Sequence, residues 1–520
     1  MPEPVVQLTS IDLVILCFYL VATLLVGTYF GRYVKSSGDF LLAGKSLPFW
    51  AVGMSIVVSD IGAMDMVSGA GAAYRYGLAQ ANFDWIGSVP AMIIVAFVFV
   101  PFYWRSGVCT LPEFLGRRYG SPVRYCQALI WLLFQVAMLA VMLWTSAVFL
   151  GTVLGWSPLA AIWITVAVVG IYTFSGGLAA VVMTDVIQMV VMYVGAGALL
   201  VLGFWKVGGW DALVSTVMSR GPEFAHHFQL LLPNDAPAPY PWSGILLGLG
   251  IVLSTAYFSS NQAVIQRVLG ARSEWDAKAS MLFAAFMKLW IPILIMIPGL
   301  AALALYPNLE KPDGAVPMLV RQVLPPGLTG LVFAAFFAAL MSSVDSYLNS
   351  AITMTITDVV QPVHRLLLKH AATDAHCLAL GRGLTLALII AAGLGAPMID
   401  RFETIYVAIQ TTFSIFQGPT LAILSLGILW PRGNGAGALA GLLLGVLFSG
   451  LLNLIGDQVF PGENPFLFIA FWSFVFSLAV TVVVSLLTPP PSPDRLSGLV
   501  LRGVLRDREA QVLLRKELEG

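Results

Sequence analysis

Apolar stretches close to twenty residues long recur along the whole of this 520-residue chain. About thirteen can be counted, centred near Ile15, Val58, Ile94, Ala137, Val168, Val191, Ile251, Ile293, Ala338, Leu388, Ile415, Leu444 and Phe476. Twenty helical residues rise about 30 Å, the thickness of a bilayer's hydrocarbon core. Composition agrees, with 58% hydrophobic residues, 10% charged and a mean hydropathy of +0.88. An ordinary globular domain carries about a quarter charged residues. The expectation is an all-α polytopic membrane protein, held in an inner or plasma membrane and in contact with the lipid bilayer.

The formal net charge is zero, but its distribution is informative. With the N-terminus outside, the inside loops hold Arg32, Lys35, Lys45, Arg105, Arg117, Arg118 and Arg124, then Arg267, Arg272, Lys278, Arg365, Lys369, Arg382 and Arg432. The tail adds Arg495, Arg502, Arg506, Arg508, Arg515 and Lys516, while the other side keeps Arg75, Lys206, Arg220, Lys311, Arg321 and Arg401. The positive-inside rule then puts the N-terminus outside and the C-terminus in the cytoplasm. The lead PEPVVQLTS is not a basic region before a cleavage site, so no cleaved signal peptide is expected.

Several chemistries lack their residues. Cys17, Cys109, Cys126 and Cys377 form no CxxC pair, so packing or inert thiols is the reading. His226, His227, His364, His370 and His376 all fall in expected loops, which argues against a histidine proton relay, a catalytic metal or a membrane-embedded transferase. There is no phosphate loop, and the pieces near 206–242 and 488–520 are too short for a nucleotide domain. The tail is likewise too short for the kinase of a transporter-like sensor. No enzyme activity and no nucleic-acid partner are expected.

The polar residues at membrane depth then carry the function. They are Asp60, Asp65, Asp84, Asp185 and Asp345, with Lys288 the one basic residue among them. Each marks a functional site unless it is a structural ion pair, and a bundle gains little from burying six. Asp60 and Asp65 lie in SIVVSDIGAMDMVSGAGAAYRYG, where Ser59, Gly62, Ser68, Gly69 and Gly71 weaken the second span. The seventh, ILLGLGIVLSTAYFSSNQAVIQR, is interrupted by Gly248, Gly250, Ser254, Ser259 and Ser260. Non-helical backbone at this depth is tolerated where it lines a cavity or an ion site. Interrupted spans in corresponding positions, here five apart, point to an inverted-repeat transporter with its site at the breaks. Two unrelated glycine-rich packing helices are the plainer alternative. A further cluster, Ser342, Ser343, Asp345 and Ser346, interrupts FAAFFAALMSSVDSYLNS.

GKSLPFWAVGMSIVVSDIGA, TLPEFLGRRYG, FSGGLAAVVMTDVIQ, NQAVIQRVLGAR, KLWIPILIMIPG and SSVDSYLNSAITMTITDVV follow one another in an order that resembles the sodium/solute symporter family, in particular its sodium/glucose and galactose branch. The resemblance implies a LeuT-type fold of two inverted five-helix repeats, about 46–205 and 243–430. The helix 11–32 and those in 435–487 would be peripheral, with 488–520 a cytoplasmic tail. It implies a sodium ion held by carbonyls of Val58, Ile61 and Ala339 and hydroxyls of Ser342 and Ser343. Such oxygen ligands suit a hard cation, whereas serines bonding back to their own helix would need no ion. Some family members hold a second cation at positions matching Asp185, Ser342, Asp345 and Ser346. Asp345 stands where those members have serine, and its carboxylate would either strengthen cation binding or hold a proton.

For the solute the resemblance marks Asp60, Asp65, Asp84, Ser254, Lys288 and Gln410, with Tyr257 as the aromatic covering it from the inside. Aspartate or serine replaces amide or glutamate at several of these positions, while Lys288 and Gln410 match in type. The function implied is sodium-coupled symport of a sugar or polyol. An amino acid, a carboxylate or a cationic solute is the alternative.

Overall fold

The computed structural model of the chain describes residues 8–501 apart from 35, 174–176, 237, 402–404 and 462–464. The cations Lys35, Arg502, Arg506, Arg508, Arg515 and Lys516, most of the N-terminal lead and of the tail, and the start of the FSGGLAAVVMTDVIQ segment lie outside the described residues. Among the described residues the only extended pairing is two isolated bridges, Leu47 with Ala271 and Leu232 with Pro241. Nine helices there are long and apolar enough to cross a bilayer, and three bent pairs bring the number to twelve. The shorter helix Pro158–Thr173 holds the remaining expected centre, Val168. Every one of the thirteen expected centres falls on a helix or a bent pair.

Helix ends in such a bundle need partners, because no water is present at depth to take up their orphan groups. Thr9 and Asp12 form a capping box at the start of Ser10–Gly31. The second carboxylate oxygen of Asp12 accepts the backbone N–H groups of Gly327 and Gly330, each at 2.7 Å, and so also caps Leu328–Met354. Arg118 plays the opposite role. Its guanidinium donates to the carbonyls of Gly427, Trp430 and Gly433, closing the C-terminal end of Ile405–Leu429. Arg118 is fully buried and is not the free loop cation expected from the charge pattern.

The second span bends by 58° between Phe49–Asp60 and Asp65–Ala81, where the glycine-rich sequence is expected to break it. Gly62 is required there by close approach: a Cβ would overlap the Ser343 hydroxyl. The seventh span also bends, by 55°, but not at its glycines. The break falls at Asn261, between Gly244–Ser260 and Gln262–Leu269, with Asn261 extended at φ −68°, ψ 115°. Gly248 instead lets the span lie against Phe466–Leu487, since a side chain would overlap the Leu467 carbonyl. Helix-weakening glycines and helix-packing glycines look alike in sequence. A third bend, of 44°, separates Phe83–Val98 from Val100–Ser106.

Candidate ion and solute site

The two halves of the second span meet at a cavity lined by polar and aromatic side chains. All seven residues marked for the solute line it: Asp60, Asp65, Asp84, Ser254, Tyr257, Lys288 and Gln410. Lys288 ends the helix Glu274–Lys288, just before a turn at Leu289 and Trp290. That turn is held by Tyr193, whose hydroxyl donates to Met287 O at 2.8 Å, and by Trp85, whose indole donates to Leu289 O at 3.0 Å. The lysine ammonium hydrogen-bonds Asp60 and lies 3.0 Å from an Asp84 oxygen. It also stands 5.4 Å from the centre of the Phe258 ring. A buried ammonium is tolerable when paired in this way.

Asp65 lines the same cavity at the start of the span's second half, directly after the break. On the opposite wall the Tyr257 hydroxyl meets that of Tyr347 at 3.4 Å, and its ring packs edge-on to Phe413 at 5.4 Å. Other lining residues escape the sequence reading. Gln417 lies seven residues beyond Gln410, on the same helix face, and its buried amide nitrogen has no hydrogen-bond partner. Tyr347 stands one turn after Ser343 and also lines the cavity. Helical spacing from residues already marked is the signal that finds both.

Behind this cavity lie the residues marked for sodium. Phe49–Asp60 ends at the break, and the carbonyls of a last helical turn lack intrahelical partners. Val58, Ser59 and Asp60 belong to that turn. The Ser343 hydroxyl donates to the Ser59 carbonyl at 3.0 Å, and the Ser342 and Ser59 hydroxyls lie 2.8 Å apart. Ile61 and Ser343 line the cavity, while Val58, Ala339 and Ser342 are buried beside them. The Ala339 carbonyl is 3.8 Å from where a Gly62 Cβ would stand, so the break and the helix Leu328–Met354 converge.

The group marked for a second cation is also brought together, around a residue not marked. Arg267, expected in an inside loop, is only 1% exposed and lies on Gln262–Leu269, just past the bend. Its guanidinium donates to Ser55 at 2.6 Å, to Ser59 at 3.0 Å and to Asp185 at 3.3 Å, and also to Ser346 and the Ala263 carbonyl. Asp185 accepts from Ser55 at 2.5 Å through the same oxygen, and its other oxygen has no hydrogen-bond partner. Asp345 is fully buried and acts on the guanidinium electrostatically. Lys288 is thus not the sole basic residue at depth. In sequence Arg267 follows a polar NQ pair and precedes a glycine, which reads as a loop.

Bent spans that place polar side chains and helix-end carbonyls at one membrane-depth cavity define a secondary transporter with the LeuT-type fold. Residues 40–445 match the Sodium:solute symporter family, and the chain belongs to it. It is 30% identical to a sodium/glucose cotransporter of Vibrio parahaemolyticus, covering 92% of this chain and 91% of that protein. It is 32% identical to the sodium/myo-inositol cotransporter 2 of Oryctolagus cuniculus, covering 96% and 80%. In fold it is similar to a Na+-coupled sialic acid symporter solved substrate-bound and outward-open, with a TM-score of 0.80 and 22% identity over 94% of this chain and all of that one. The chain is therefore a multi-pass membrane transporter rather than an enzyme, and sodium is its coupling ion.

Proposed function

We propose that this transporter imports a small polyhydroxylated solute, a sugar or polyol, together with sodium by alternating access. One observation carries the reading. The seven residues marked by resemblance to sugar carriers line a single cavity that abuts the Ser343 helix. Carboxylates, amides and an ammonium can serve several hydroxyls at once, and the rings of Tyr257 and Phe413 offer apolar cover.

Coupling follows from shared parts. Ser59, Ile61, Gly62 and Ser343 belong to the solute cavity as well as to the ion's surroundings. An ion bridging the break to the ninth span orders the wall against which the solute sits. Each ligand then raises the affinity of the other by the same factor. Neutral hydroxyls and carbonyls hold sodium weakly enough to release it into a low-sodium cytoplasm. The two repeats, about 46–205 and 243–430, would rock about the breaks, with the N-terminus outside and the C-terminus inside.

A second reading, an amine-bearing solute, is favoured by the three carboxylates facing the single ammonium of Lys288. The deciding experiment screens sugars, polyols, amino sugars and amino acids by thermal shift on purified protein, with and without sodium. Hits are then followed as labelled uptake into vesicles. Sodium-dependent accumulation of a neutral polyol bears the proposal out. Accumulation of amines alone favours the second reading, and uptake indifferent to sodium would overturn the coupled mechanism.

A further inference from the structure

We propose that Arg267 is a tethered cation that takes the place of a second sodium, so that the carrier binds one sodium ion per cycle. The inference rests on the sodium-coupled reading and on the ion site at Ser342 and Ser343. Two of the four side chains suited to a second ion, Asp185 and Ser346, hydrogen-bond the Arg267 guanidinium directly. A third, Ser342, reaches it through Ser59, which contacts both. The guanidinium is essentially fully buried and is held by five oxygen partners, of which the backbone carbonyl of Ala263 is on its own helix. A planar, permanently charged donor with this many hydrogen bonds fills the place that a desolvated sodium ion and its oxygen shell would need.

Asp185 and Asp345 bring two carboxyl groups and Arg267 one permanent positive charge into a buried region. With both carboxyls ionised, one sodium at the adjoining Ser342 and Ser343 would make the cluster neutral, and an uncompensated charge at this depth is costly. Arg267 also ties the bent seventh span to the second, sixth and ninth. Its bonds to Ser55 and Ser59, Asp185 and Ser346 bring together the elements that form the ion site.

The test counts ions with 22Na+ at equilibrium on the purified full-length protein, without solute. The wild type is expected to hold one ion per chain, and Arg267→Lys likewise one. Arg267→Met removes the charge at similar length and is expected to admit a second ion. Adding Asp185→Asn to that variant should return the count to one. Ser343→Ala should weaken the wild-type ion about ten- to a hundredfold, which ties the first count to the proposed ion site. Two ions in the wild type, one of them lost in Asp185→Asn, would overturn the inference, because sodium would then sit beside the arginine at the open Asp185 oxygen. So would a single ion in Arg267→Met that melts within a few degrees of the wild type, since the arginine would then be structural only. If Arg267→Met does not fold, the wild-type and Asp185→Asn counts still decide. No saturable sodium binding at all would sink the sodium-coupled reading itself.

Discussion

Ser343 sits where two requirements meet, bonded to the carbonyl end of one helix and facing a solute cavity across Gly62. Truncating it removes one of about five oxygens around the ion. Losing one charge-assisted contact costs roughly 1.5–3 kcal/mol, so Ser343→Ala should need about ten- to a hundredfold more sodium for half-maximal uptake. Unchanged sodium dependence would place the ion elsewhere. Lys288 calls for a different calculation, because its ammonium compensates Asp60 and Asp84 at once. Lys288→Ala leaves two carboxylates facing each other, and solute binding should weaken by several kcal/mol. Gln410→Ala loses only a neutral amide and should cost about 1–3 kcal/mol. Calorimetry with the solute found in the screen separates the two. Equal losses would mean that Lys288 acts on the fold rather than on the solute. Sodium affinity should survive both changes, since neither residue stands at the Ser342–Ser343 pair.

At the scale of elements, glycine chemistry is decided by what lies opposite. Gly248→Val puts a branched side chain where the Leu467 carbonyl already stands, and backbone cannot yield as a side-chain tip does. Overpacking of this kind costs about 1–3 kcal/mol. The variant should melt lower while its sodium affinity holds, and loss of sodium binding without loss of stability would show a break-like role instead. The loop that carries Asp313 gives a pH signature. Burial against Gly71 pushes its carboxyl up from 3.8 to about 6, although the Ile405 N–H and Lys311 pull the other way. Between those values the folded state keeps a proton that the unfolded state has lost. Stability therefore falls as pH rises through this window, by up to about 3 kcal/mol. Asp313→Asn should match the wild type at pH 4 and melt higher at pH 7. A lower melt at pH 7 would mean that the charge on the Ile405 cap matters more than its burial. Spans and the broken second helix were legible in the sequence because hydropathy and glycine-rich runs are local signals, while the cavity residues were marked as a set through the family resemblance. The position of the seventh break, the double cap at Asp12 and the burial of Arg118 and Arg267 were not. Each depends on a partner tens to hundreds of residues away.

For the whole molecule, contacts fix which loops share a face, and charge indicates which face is cytoplasmic. Arg124 pairs with Asp358 at 2.7 Å, Arg105 with Glu274 at 2.6 Å, and Arg495 donates to the Tyr119 carbonyl at 3.2 Å. These contacts gather the loops after the third, seventh and ninth spans, and the start of the tail, on one side. On the other, Leu78 N–H donates to His227 O at 2.7 Å and Arg220 donates to Ala304 O at 2.6 Å. Arg118 and Arg267 are buried and should be dropped from a count of loop cations. Even without them the first side carries three times as many Lys and Arg as the second, counting the whole sequence. By the positive-inside rule we propose that this is the cytoplasmic side. Gln229 and Lys369 are exposed reporters on opposite faces. In a chain whose four native cysteines are replaced, Gln229→Cys should react with an impermeant thiol reagent on intact cells. Lys369→Cys should react only after the membrane is opened. The reverse pattern would invert the whole assignment, and labelling of both from outside would break the odd number of crossings that separates the two sites.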